Sequence, residues 1–150
     1  SGSNDVSKIE ALTGVGLAKR LGNNSWALDD GSVSITFVRD GNGTVLLTGI
    51  MGDLRVPFTG TITSATMLAD QSGSAVVDIW KDTLANYPPT IADTITASAK
   101  PTISGATYSE DTTLTGWTTA VTAGDILRFN LNSITSITRL ELVLKIKRFI

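Results

Sequence analysis

The chain has 150 residues, 41% of them hydrophobic and only 17% charged, with a formal net charge of −2. That length suffices for one domain with a real core, and the weak charge gives no electrostatic footprint for nucleic acid or an anionic membrane. With no histidine and no cysteine, Ser-His-Asp triads, Cys-His pairs, disulfides and nearly all zinc chemistry are excluded.

Ser1-Gly2-Ser3 reads as a cloning scar, and residues 4–31 as a linker or stalk ahead of a β-domain spanning 32–150. Val6, Ile9 and Leu12 have helical spacing, with Asn4 or Asp5 available as a cap and Gly14 as a stop. Two readings stay open there: the last turns of a coiled-coil shaft, or a frayed end too short to stand alone. From Gly14 to Gly31, small and polar residues surround Leu17, Leu21, Trp26 and Leu28, which predicts an extended segment with one short strand near Ser25–Leu28.

Beyond Gly31 the pattern is strand upon strand. Val33, Ile35 and Phe37 alternate to one face. Asp40-Gly41-Asn42-Gly43 supplies the residues of a tight hairpin, with TVLLTGI (residues 44–50) returning. LRVPFTGTI (54–62) alternates too, and its Pro57, unable to donate to a ladder, predicts an edge or a bulge. Further strands are expected at SAVVDIWK (74–81), TITASA (94–99), TLTGW (113–117) and ILRFNL (126–131). In the last of these Leu127, Phe129 and Leu131 face one way, and Ile126, Arg128 and Asn130 the other. The clearest strand is TRLELVLKIKR (138–148), with Leu140, Leu142, Leu144 and Ile146 inward and Arg139, Glu141, Lys145 and Lys147 outward. Eight to ten short strands without credible internal helices predict an all-β fold, an antiparallel β-sandwich of jelly-roll type. Trp80, Phe129, Leu140, Leu142, Leu144 and Ile146 are its expected core. No apolar run approaches the roughly 20 residues that span a bilayer.

What remains for chemistry is carboxylates, Lys, Tyr, Ser and Thr. A glycosidase needs two acids about 5–9.5 Å apart, one of them with a raised pKa. Asp78 with Asp82, or Asp93 with Asp111, are the candidate pairs, and the competing reading is that these acids cap turns. The DGNG run (40–43) lacks calcium-loop spacing, and Gly14-x-Gly16 has Lys19 where a dinucleotide fingerprint needs a third glycine. No metal and no cofactor is expected. Among the aromatics, Tyr87 precedes Pro88-Pro89, a sequence that favours a cis peptide bond, and Tyr108 and Trp117 flank a Thr/Ser-rich stretch. Exposed, such rings stack on sugars while Asp and Thr bond the hydroxyls; buried, they seal loops onto the sheet. Tyr87, Tyr108, Asp111 and Trp117 are the candidate binding residues.

Two segments carry a family resemblance. ALTGVGLAKRLGNNSWAL (11–28) resembles a module of bacteriophage tail fibres and related appendages, LTGxGhhxRxGxxxWxL with h apolar, matched by Leu12, Thr13, Gly14, Gly16, Arg20, Gly22 and Trp26. Ser74 to Phe149 resembles a C-terminal domain of phage tail and other structural proteins through DIWKD, YPPT-x-AD, AKP, LTGW and AGD, while 32–73 carry no placed motif. The resemblance implies a non-enzymatic β-sandwich tip on a virion fibre, joined upstream to the remainder of that fibre. It implies a homotrimer about the fibre axis that binds a host-surface polysaccharide or protein. A purely structural decoration, collar or trimerisation domain is the alternative it leaves open. In this setting DIWKD to ADT is expected to be a strand end, a rigid proline corner and turn-capping acids.

Overall fold

The computed structural model describes residues 17–22 and 25–149. The helical spacing at residues 6–12, the opening 1–3 and the first part of the LTGxG module lie outside the described residues. Among the described residues nine strands run β1 (Leu17–Gly22), β2 (Ser25–Asp29), β3 (Ser32–Asp40), β4 (Gly49–Arg55), β5 (Gly60–Asp82), β6 (Thr102–Asp111), β7 (Ala120–Val121), β8 (Ile126–Thr135) and β9 (Arg139–Arg148), with two 3₁₀ turns at Leu84–Asn86 and Ile91–Asp93. Every pairing is antiparallel. The short strand expected near Ser25 is β2, and β1 pairs with it as a separate two-stranded sheet.

The other strands form one seven-stranded sheet in the order β3-β9-β5-β8-β4, with β6 and β7 also on β5. The all-β, antiparallel expectation therefore holds, but its layers belong to a single curled sheet. The turning element is β5, 23 residues long. Its first half pairs with β9, its second half with β8. Irregularities between Ile62 and Ser64 and around Gly73 bend it, as bulges do. Gly73 is obligatory at this bend, because a Cβ there would lie 2.2 Å from the Thr135 carbonyl oxygen. The sheet thus curls over, and Phe37 of β3 stacks on Phe129 of β8, centroids 4.5 Å apart.

Period-two patterning fills the enclosed space. From β9 come Leu140, Leu142, Leu144 and Ile146, from β5 Ala65, Met67, Val77 and Ile79, and from β8 Leu127, Phe129 and Leu131, all buried in one cluster. Each large side chain removed from water there contributes about 1.5–3 kcal/mol. Trp80 is also buried. It lies on the reverse face, paired with Arg128, and is not part of that cluster.

Several local expectations are corrected. Asp40–Gly43 is no hairpin, since β3 pairs with β9 and β4 with β8. It is an Asx-type turn, in which Asn42 N–H donates to Asp40 Oδ1 at 2.8 Å, and it carries the chain across between the two halves of the sheet. Residues 44–47 are not strand; Leu46 N–H bonds Ile137 O instead. LRVPFTGTI divides between β4 and β5, and Val56 pairs its N–H with Asp125 O. TLTGW is a turn with Leu114 at φ 52° and Gly116 at φ 76°. TITASA touches β5 only through a bridge from Thr94 to Trp80, for a reason given below.

Candidate functional site

The reverse face of the β4-β8-β5 half is set by register. Opposite the core-facing Leu127, Phe129 and Leu131 stand Arg128 and Asn130 of β8. Asp53 and Ile50 pair with them from β4, Trp80 and Asp78 from β5. A bulge in β4 between Ile50 and Gly52, and another in β8 opposite Val76/Val77, flank Asn130. The second leaves Asn132 without a partner on β5; two residues along from Asn130 it shares that residue's face, and Asn130 Nδ2 donates to Asn132 Oδ1 at 2.6 Å. Paired bulges of this kind re-aim side chains and are frequent beside functional sites.

Residues 83–101 lie across part of this face. Asp78, 1% exposed, fastens them: Thr94 and Thr96 hydroxyls both donate to its Oδ1, at 2.6 and 2.7 Å. Lys100 Nζ stands 3.8 Å from Oδ2. Burial pushes the Asp78 carboxyl up, but the two hydroxyls, helped by the Trp80 indole N–H at longer range and by Lys100, outweigh it and hold the group below the usual carboxylate range. Ile95 N–H adds a bond to Ile79 O. This pinning explains why TITASA fails to extend as a strand: its alternate hydroxyls are consumed by one buried carboxylate.

The fastened segment presents Tyr87, which follows the first 3₁₀ turn and makes a cis bond to Pro88. Its hydroxyl donates to Asp53 Oδ2 at 2.7 Å. Arg128 grips the same carboxylate side-on, Nε to Oδ1 at 2.6 Å and Nη2 to Oδ2 at 2.8 Å. Such forked, charge-assisted bonds are short and geometrically fixed. The guanidinium carbon also lies 5.4 Å from the Tyr87 ring centroid, within cation–π range. The Arg128 hydrogen bonds hold Asp53 below its ordinary range, against burial and with help from Tyr87. Asp53 in turn raises the Tyr87 phenol. Tyr87 remains 50% exposed, with Arg128 over one face of its ring. The result is a ring immobilised at its hydroxyl and backed by a cation, beside two asparagines and an exposed Ile50.

The other expected contacts are scattered. Tyr108 is exposed on β6, opposite Leu68. Leu68 pairs with the outward-facing Glu141, so Tyr108 occupies the outer face of the other half of the sheet. Asp111 caps the following turn, accepting from Thr113 N–H at 2.8 Å and Leu114 N–H at 3.0 Å. Trp117 is a correction: it is 9% exposed, belongs to the core cluster and donates Nε1 to Ala99 O at 2.8 Å, so it offers no stacking face.

The candidate acid pairs have local duties. Asp78 and Asp82 are four residues apart on one strand, about 13 Å at the strand rise. Asp82 Oδ1 accepts from Thr83 N–H and Asn86 Nδ2. Asp93 closes a capping box with Thr90. Among the described residues no group of three or more acids gathers for a metal. Ile50, Asp53, Arg128, Asn130 and Asn132 were not candidates from sequence. The signal was partly there, in the polar alternation of RFNLN (128–132), but the partner Asp53 lies 75 residues away from Arg128. Comparison of the chain with protein-family models, curated proteins and solved structures found no match.

Proposed function

We propose that this chain is the tip domain of a bacteriophage tail fibre or related appendage, a non-enzymatic homotrimer that attaches a virion to a host-surface receptor, with polysaccharide the receptor class. The observation that carries this reading is the Tyr87 platform, a rigid, half-exposed ring among hydrogen-bonding side chains. An aromatic already fixed in place loses little freedom on binding and supplies the apolar surface that sugar C–H faces require. The tail-fibre resemblance of residues 11–28 and 74–149 supports the setting. A row of Val38, Leu68 and Tyr108, exposed on neighbouring strands either side of Glu141, supplies apolar surface for assembly.

Binding without turnover fits the acids. A glycosidase's general acid is held above its ordinary pKa, whereas Asp78 and Asp82 both lie below theirs. Shallow sites of about 1 mM affinity become effective when three are linked, since multivalency raises avidity by about 10²–10⁴.

The test pairs mass with binding. Light scattering should return about three times the 15.8 kDa of one chain, and the fluorescently labelled chain should adsorb to particular strains in a panel of Gram-negative and Gram-positive bacteria. A trimer that adsorbs to none of them supports the structural-decoration reading instead; a monomer refutes the assembly.

A further inference from the structure

We infer that the Tyr87 face takes an uncharged glycan chain, running along β8 from the Tyr87 ring past Asn130 to Asn132. This rests on the receptor-binding reading and goes beyond it in naming the ligand's charge class and the residues that read it.

Charge is the first argument. Arg128 is the cation nearest the ring, and its fork is occupied by Asp53. Lys100, beneath, is paired with Asp78 and also donates to Ala97 O. Arg55 stands two residues beyond Asp53 and lies against Gly124 instead. Every cation around the ring is thus either matched by a carboxylate or directed elsewhere. A uronic or sialic acid would have to displace Asp53 from a forked, charge-assisted pair to be recognised. A neutral sugar asks for nothing of the kind.

Hydrogen-bonding capacity is the second. After its bond to Asn132, Asn130 keeps a carbonyl oxygen and one N–H, while Asn132 keeps both N–H groups. Among the described residues Arg128 Nη1 makes no hydrogen bond. These mixed donors and acceptors suit hydroxyls, which do both. Arg128 and Asn130 succeed one another along the strand about 6.8 Å apart, with Asn132 next to Asn130, so the row can address an extended ligand. Exposed Ile50, across from Asn130, gives the far side an apolar edge. The two bulges are the independent observation: they interrupt the ladder on both sides of Asn130, where the Asn130–Asn132 pair projects, a placement frequent beside functional sites.

The experiment measures binding of the 150-residue chain to soluble glucan, mannan and galactan, and to polygalacturonate and polysialic acid, by affinity electrophoresis, and in parallel to the bacterial panel. The inference expects retardation by a neutral polymer, none by the acidic ones, and cell adsorption that persists in about 0.5 M salt, where screening is nearly complete within a few Å. Tyr87→Ala should weaken binding about tenfold, and Asn130→Ala and Asn132→Ala about three- to tenfold each, the worth of a stacked ring or a hydrogen bond. Tyr87→Phe, which keeps the ring but frees it from Asp53, should fall between wild type and Tyr87→Ala, and the Asn variants should melt with wild type. Preference for an acidic polymer, adsorption abolished by salt, or unchanged cell binding in all three alanine variants overturns the inference. In the last case, wild-type adsorption leaves the attachment reading standing. A wild-type chain that binds neither polymer nor cell removes both.

Discussion

Replacing Asp78 by alanine tests whether one carboxylate fastens the segment that carries the candidate site. Asp78 is buried, and both Thr94 and Thr96 donate to its Oδ1 while Lys100 faces Oδ2. Removing it strands a hydroxyl on the fully buried Thr96 and another on the part-buried Thr94. It also deprives Lys100, whose side chain is one-quarter exposed, of its counter-charge. Hydrogen bonds to a charged group are worth about 1.5–3 kcal/mol each, and breaking one side of a buried ionic cluster costs about 3–5 kcal/mol. These overlapping terms set the loss at about 3–5 kcal/mol, not at their sum. For a chain of this length that lowers the melting temperature by about 6–20 °C.

Asp78→Asn sharpens the test. Because both hydroxyls use the same oxygen, an amide carbonyl in its place keeps both bonds and gives up only the ion pair. The expected loss is then about 1–2 kcal/mol, the value of weakened acceptors and a partly exposed pair. Urea unfolding of the three proteins at fixed protein concentration gives the order directly. Hydrogen exchange adds the location: the Ile95 amide, bonded to Ile79 O, and the Thr118 amide, bonded to Ile95 O, should lose protection in Asp78→Ala before the core amides of β9. An alanine variant losing less than about 1 kcal/mol, or an asparagine variant as damaged as alanine, would refute the latch.

Two further outcomes follow from the same geometry. Trp117→Ala should destabilise by about 3–5 kcal/mol, since it empties core volume and leaves the Ala99 carbonyl without its donor; a melting temperature within a degree or two of wild type would remove Trp117 from the core. In acid, Asp53, Asp70, Asp78 and Asp82 all have folded pKa values below the ordinary one. The unfolded chain therefore binds more protons, so their stabilisation is complete above about pH 5 and is lost as pH falls below about 4; a melting temperature that rises from pH 5 to pH 3 contradicts that sign.

Legibility from sequence followed the period-two rule and stopped where it stopped. β3, β8 and β9 alternate cleanly because one face meets the core and the other meets water. β6 escaped notice because Ile103 is its only fully buried residue and Gly105 interrupts it at φ 58°. The unbroken run of β5 was hidden by its bend, where Gln71, Ser72 and Gly73 give no apolar alternation to join LRVPFTGTI to SAVVDIWK. Pairing partners were less legible still. The DGNG stretch has hairpin chemistry, yet it joins strands from opposite halves of the sheet, whose partners β9 and β8 lie far along the chain and are not specified by the turn. Tyr87 was visible as a candidate through its proline corner, whereas its meaning depends on Asp53 and Arg128, which only the β4-β8 register brings beneath it.

The acids between Asp78 and Thr94 are then understood as parts of one mount. Asp78 holds the far end of the segment through Thr94 and Thr96. Asp82 starts its near end by binding Thr83 and Asn86, and Asp93 closes the second 3₁₀ turn with Thr90. Each carboxylate satisfies groups within a few residues of the loop, and none is free to face a ligand as a poised acid. What the mount leaves projecting is Tyr87, and the charge that fixes Tyr87 comes from a different strand, Asp53 of β4. A ring secured at both its backbone and its hydroxyl cannot swing to meet a ligand. On the proposed reading, selectivity on this face is set by what surrounds the ring, the Asn130–Asn132 pair and Ile50, three exposed or half-exposed positions whose substitution leaves the curled sheet beneath undisturbed.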